Sequence, residues 1–165
     1  MLKFITNLFS CFILFCNTTY QNTSLTSHFK NATSITITNS NKEFTFEKNS
    51  REFNLILESI FKITKNHHEM PAFSVALDQE IKTSKQSGLW LEMNFNKTQT
   101  HNELCFDSLI FEINENYSGL NLIRKTNDIY SGRCFYLNLE NNMHELKNNI
   151  LKILNQQFLL QIAQN

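Results

Sequence analysis

The residues with the most chemical potential sit in two loops. His67-His68-Glu69 in one, with His101 and Glu103 in the other, supply the imidazole nitrogens and carboxylate oxygens that a zinc ion takes as ligands. A metal held there would activate water, and the chain would be a small metal-dependent hydrolase. Neither cluster places two His at i and i+4 around a Glu, so solvated loop residues are the plainer reading. Cys105 with His101 could form a nucleophile and base, provided the thiol is exposed. Arg124 and Arg133 could clamp an anion, against simple solvation at the surface. Three glycines in the whole chain leave no phosphate-cradling loop, and no cofactor is implied.

Positioning any of these falls to the stretch from Gly88 to Leu139, where apolar residues recur at every second position. Leu89, Leu91, Met93 and Phe95 share one face of a strand, and Leu109, Phe111 and Ile113 share a face of the next. Turn-forming runs at Asn114–Gly119 and Thr126–Asp128 separate these from Leu120–Ile123 and from Tyr130–Leu139. Connections this short join antiparallel neighbours, because a parallel pair needs a long crossover. The expectation is a four-stranded antiparallel meander with one strongly apolar face.

Its opposite face is mixed. Trp90, Ile110, Ile123 and Tyr136 stand among Glu92, Glu112 and Lys125. Such a face is either covered by another part of the chain or open as a platform for a ligand, since aromatic rings among polar groups are enriched in binding surfaces. On the second reading Trp90, Glu92, Glu112, Lys125 and Tyr136 form the binding site.

Ahead of the meander, Ser34–Thr38 and Glu43–Glu47 alternate around the turn Asn39–Lys42 and read as a hairpin. Asn49 with Glu52 three positions on has the spacing of a capping box. It precedes a helical stripe of Phe53, Ile56, Leu57, Ile60 and Phe61. Met70–Leu77 reads equally as a short strand or an extended link, and Asp78 can cap a short helix after it. Beyond the meander, Asn142 and Glu145 repeat the capping spacing before a long amphipathic helix carrying Met143, Leu146, Ile150, Ile153, Leu154 and Phe158. Its last turns could engage a second copy of the protein, giving a homodimer. The fold class is therefore α+β: an antiparallel sheet of N-terminal hairpin and meander, packed against a central and a C-terminal amphipathic helix.

The length of 165 residues suits one domain, placed at residues 34–163. Lys3 followed by the apolar run Phe4–Cys16 matches the h-region of a signal peptide over residues 1–16, too short to span a bilayer. Residues 17–33 are polar and aperiodic, as in a flexible leader. Together they favour a secreted or cell-surface protein, with membrane contact confined to the N-terminal segment; a packed first helix in a cytoplasmic protein is the alternative. Matches to Asn-x-Ser/Thr at Asn17, Asn22, Asn31, Asn96 and Asn116 are what Asn abundance alone produces, so no glycosylation is read from them.

Fifteen basic residues balance fifteen acidic ones without a basic run, which removes the electrostatic footprint of a nucleic-acid binder. Of the four cysteines, Cys105 and Cys134 lie in the meander on opposite strand parities, so two free thiols are expected, with Cys105 in the core. The function that fits is a non-catalytic binding module for a protein or small ligand. An intracellular partner-binding protein of inhibitor or immunity type is the alternative from a different class.

Overall fold

The computed structural model describes residues 24–140 and 143–163. The h-region and the start of the leader lie outside these residues, as does Asn142, the expected cap of the C-terminal helix.

The fold is α+β, with a seven-stranded, wholly antiparallel sheet that unites hairpin and meander. The strands are β1 (Ser34–Asn39), β2 (Lys42–Glu47), β3 (His68–Leu77), β4 (Leu89–His101), β5 (Leu104–Glu112), β6 (Gly119–Thr126) and β7 (Ile129–Asn138). Their spatial order is β2-β1-β4-β5-β6-β7-β3. Three of the hairpins close with two successive residues at positive φ: Ser40-Asn41, Asn102-Glu103 and Asn127-Asp128. That pair of left-handed residues gives a tight loop the same right-handed twist as its strands.

The chain crosses the sheet twice, once over each face. From β2 it passes through α1 (Arg51–Ile63) to β3 at the far edge, and from β3 it returns through α2 (Asp78–Ser84) to β4 beside β1. Met70–Leu77 is thus an edge strand paired with β7, bulged on either side of Phe73.

The apolar parity of the meander points Leu91, Met93, Leu109, Phe111, Leu120, Leu122, Phe135 and Leu137 into one core. Phe53, Ile56 and Ile60 of α1 enter the same core, with Leu146, Ile150 and Leu154 of α3 (His144–Ala163). Each such side chain, fully removed from water, contributes about 1.5–3 kcal/mol. Beyond Leu154, Phe158, Leu159 and Ile162 of α3 are exposed, with Lys42 Nζ of edge strand β2 5.7 Å from the Phe158 ring centroid. The cap of α1 is Ser50, whose hydroxyl accepts the Phe53 amide at 3.1 Å, one residue later than the Asn49 spacing suggested. Asn49 instead takes φ 75° to turn the chain into the helix.

Two further expectations are corrected here. The leader is not flexible throughout: Leu25–Asn31 is a 3-10 helix whose Leu25 and Phe29 are wholly buried in the main core. Packing therefore reaches back at least nine residues before Ser34, because two large apolar side chains one helical turn apart suffice to anchor a polar stretch. Cys105 is exposed, and Phe106 takes the core position assigned to it. A register irregularity between β4 and β5, across Asn94 to Gln99, shifts strand parity between Phe106 and Leu109. Both Cys105 and Cys134 are free thiols, Cys134 being buried on the other face.

Candidate functional site

The second face of the sheet divides into a closed half and an open half, and α2 makes the division. Ile81 of α2 packs against a small apolar cluster of Ala76, Trp90, Ile110, Ile123, Tyr130 and Cys134. Asp78 does not cap this helix; its Oδ1 accepts the Tyr130 amide at 3.0 Å, and its Oδ2 pairs with Lys82 at 2.7 Å. The Tyr130 contact ties the start of the helix to β7.

Under that cover Glu92 is buried, its side chain 7% exposed, and every direction around its carboxylate is filled. Ser108 Oγ donates to it at 2.9 Å and Tyr130 Oη at 3.0 Å. Lys125 forms a close ion pair with it, and Lys85 Nζ lies at 3.5 Å. Burial pushes the Glu92 carboxyl up, but the two ammonium groups and the serine outweigh it and hold the group below the ordinary glutamate value. Burial alone would lower Lys125; its contact with Glu92 keeps it above its ordinary value. Tyr130, desolvated beside that carboxylate, is strongly raised and stays protonated. Lys125 and Lys85 also border a shallow hollow of about 370 Å³ with Glu43 and Asp128. The lysines are tied up there too, Lys85 to Glu43 at 3.3 Å and Lys125 to Asp128 at 3.6 Å.

The open half lies past the C-terminal end of α2, which reaches it only through Ser84. Trp90 stands opposite Glu112, and Asn121 opposite Tyr136, so one row of side chains runs across β4, β5, β6 and β7. With Ile123 this row floors a cleft of about 470 Å³ whose rim is Phe73 from β3, Asn116, Tyr117 and Ser118 from the loop after β5, and Gly119 at the start of β6. The indole of Trp90 is mostly buried and is fixed by its Nε1–H donating to the Ser84 carbonyl at 3.3 Å. Phe73 leans on Tyr136 with ring centroids 5.5 Å apart. The hydroxyl of Tyr136 lies directly over Gly119, in space that any Cβ would occupy. Phe73 and Tyr117 are exposed.

Of the five residues read from the sequence as a binding face, Trp90, Glu112 and Tyr136 line this cleft, whereas Glu92 and Lys125 belong to the closed network beside it. Phe73, Tyr117 and Asn121 were not anticipated. Asn121 carried a signal, since it alternates with Leu120 and Leu122, but Phe73 joins the cleft only because β3 pairs with β7.

The metal candidates do not converge. His101 bonds to Glu69, and Glu69 also accepts the Leu25 amide at 3.2 Å, tying the 3-10 helix to the sheet. Burial pushes the Glu69 carboxyl up, but His101 and the Leu25 amide bring it below its usual value. His67 bonds the Thr64 carbonyl at 2.6 Å and Ser24 Oγ at 3.2 Å. His68 is exposed, and Glu103 is an exposed left-handed residue of the β4–β5 turn. Among the described residues no group of three or more His, Cys, Asp and Glu is placed to hold a metal ion. Cys105 contacts Thr100 at 3.4 Å instead of His101. The Arg124 guanidinium is taken by the carbonyls of Arg133 and Cys105, each at 2.7 Å, and forms no clamp with the exposed Arg133.

Among the described residues no helix is long and apolar enough to cross a membrane. No family model matches the chain, no curated protein matches it, and no solved structure matches it.

Proposed function

We propose that this chain is a non-catalytic binding module that receives a small ligand in the cleft between Trp90 and Tyr136. The observation that carries the reading is the cleft itself. Its volume of about 470 Å³ falls within the roughly 300–1,000 Å³ of small-molecule sites, and it combines aromatic walls with a few polar groups, the usual composition of such sites. Trp90 is held by its hydrogen bond to α2 and by its strand, so the floor is formed before any ligand arrives. Titrating the folded protein with a fragment library and following its amide and indole resonances tests this. Fragments are expected to shift Trp90, Gly119 and Asn121 together, and Phe73→Ser or Tyr136→Ser should weaken them while leaving the fold intact. A library that leaves those resonances unmoved, or binding indifferent to both substitutions, overturns the proposal.

Export to the cell surface or beyond is part of the same proposal and is supported by the charged start and apolar run of residues 3–16. Sequencing the N-terminus of the native protein tests it. A start between Asn17 and Asn22 outside the cytosol agrees with export, and cleavage there would leave the Leu25 anchor in place. An intact Met1 in the cytosol overturns it.

One observation favours the alternative of a protein partner. Edge strand β3 exposes Met70, Phe73, Val75 and Leu77, apolar side chains beside an unpaired strand edge that can accept another strand. Val75→Lys would block strand addition while leaving the cleft untouched, which separates the two readings.

A further inference from the structure

The cleft has a charge character that its neighbour lacks. On the closed half of this face the carboxylates of Glu92, Glu43, Asp78 and Asp128 each have a lysine partner. Glu112 differs: it is half-buried in the wall of the cleft, and among the described residues its carboxylate has neither an ion pair nor a hydrogen bond. Among the described residues no Lys or Arg lines the cleft. A carboxylate in the wall of such a cleft gives it a negative potential, which favours a cationic ligand over an anionic one.

The rest of the lining says which kind. Phe73, Trp90, Tyr117 and Tyr136 contribute aromatic rings, whose faces carry negative potential and attract cations with an apolar shell. A hard divalent ion needs several oxygen ligands, and one carboxylate among aromatic rings does not supply them. An anionic ligand would meet Glu112 unscreened. We infer that the cleft binds a small, free organic ammonium compound, alkylated at nitrogen, its charge against Glu112 and its alkyl groups against the four rings. This rests on the cleft reading above and narrows it to one chemical class.

The test compares choline with 3,3-dimethylbutanol, the neutral isostere in which carbon replaces the charged nitrogen, using the full chain and the Glu112→Gln variant. Choline is expected to shift the Trp90 indole and Gly119 amide resonances at a concentration about tenfold lower than the isostere does, the gain expected of one ion pair and its cation–π contacts at a partly exposed site. Glu112→Gln should narrow that difference to the share the rings supply, and it should fold normally because the Glu112 carboxylate has no hydrogen-bond or ion-pair partner to lose. Equal binding of choline and isostere, or indifference of choline to Glu112→Gln, overturns the ammonium inference while the cleft reading stands. Occupation of the cleft by uncharged or anionic fragments alone overturns it in the same way. If neither probe nor any fragment moves those resonances, both readings fall.

Discussion

Replacing Glu92 and Lys125 singly and together measures whether the closed half of the mixed face is structural. In Glu92→Gln the two ammonium groups lose their shared countercharge, and one of the two hydroxyl donors, Ser108 or Tyr130, loses its acceptor. Removing one partner of a fully buried pair costs about 3–5 kcal/mol. The Lys125 and Lys85 side chains keep 19% and 14% exposure and can turn toward water, which reduces the expected cost to about 2–3 kcal/mol. Lys125→Met leaves Glu92 with Lys85, Ser108 and Tyr130, so about 1–2 kcal/mol is expected. The double variant removes both charges, and its cost should fall short of the sum by at least about 1 kcal/mol. Urea unfolding at constant m-value reads all three, and each kcal/mol corresponds to about 2–4 °C in Tm for a chain of this size. The pH dependence supplies a second check. Because the folded Glu92 carboxyl is depressed, its contribution is complete above the unfolded glutamate value of about 4.3 and is lost as pH falls through the lower folded value. Glu92→Gln should therefore flatten the acid limb of stability against pH. Additive costs, or single costs below about 0.5 kcal/mol, would refute the reasoning, since solvated surface charges behave that way.

Three further outcomes are expected. Phe29→Ala should destabilise the protein by about 3–5 kcal/mol, because the ring is wholly buried in the main core; a cost under about 1 kcal/mol would return Leu25–Asn31 to the leader. Protonating Glu69 weakens its hold on the Leu25 amide, so the protection factor at Leu25, taken against the intrinsic exchange rate at each pH, should fall as pH falls through the depressed Glu69 value, while the β4–β5 amides stay protected. Unchanged protection at Leu25 in Glu69→Leu, which has no acceptor, would contradict this. Gly132→Ala should cost about 1–3 kcal/mol by thermal unfolding, since Gly132 sits at φ 75° and its Cβ position lies against the Arg124 guanidinium that bonds two carbonyls; a neutral result would show that the guanidinium relocates freely.

Much of the architecture was written in local pattern. Period-two alternation identified the meander strands and divided Leu91, Leu109 and Phe135 from Trp90 and Ile110, because strand geometry sends successive side chains to opposite faces whatever surrounds them. Helical spacing likewise set the buried stripe of α1. Local pattern stopped where a residue's role depends on distant neighbours. The same alternation that located the strands misplaced Cys105, since one irregularity in the pairing with β4 reverses parity and leaves no trace in composition. The segment Met70–Leu77 could not declare itself a strand, because its partner β7 lies some sixty residues later in the chain. Glu92 and Glu112 make the point most directly: both are glutamates on the same face of adjacent strands. Their alternation is identical in kind, yet α2 covers one and misses the other. Residue type and spacing chose the face, and only the path of the chain over that face decided which carboxylate is sealed with lysines and which lines an open cleft.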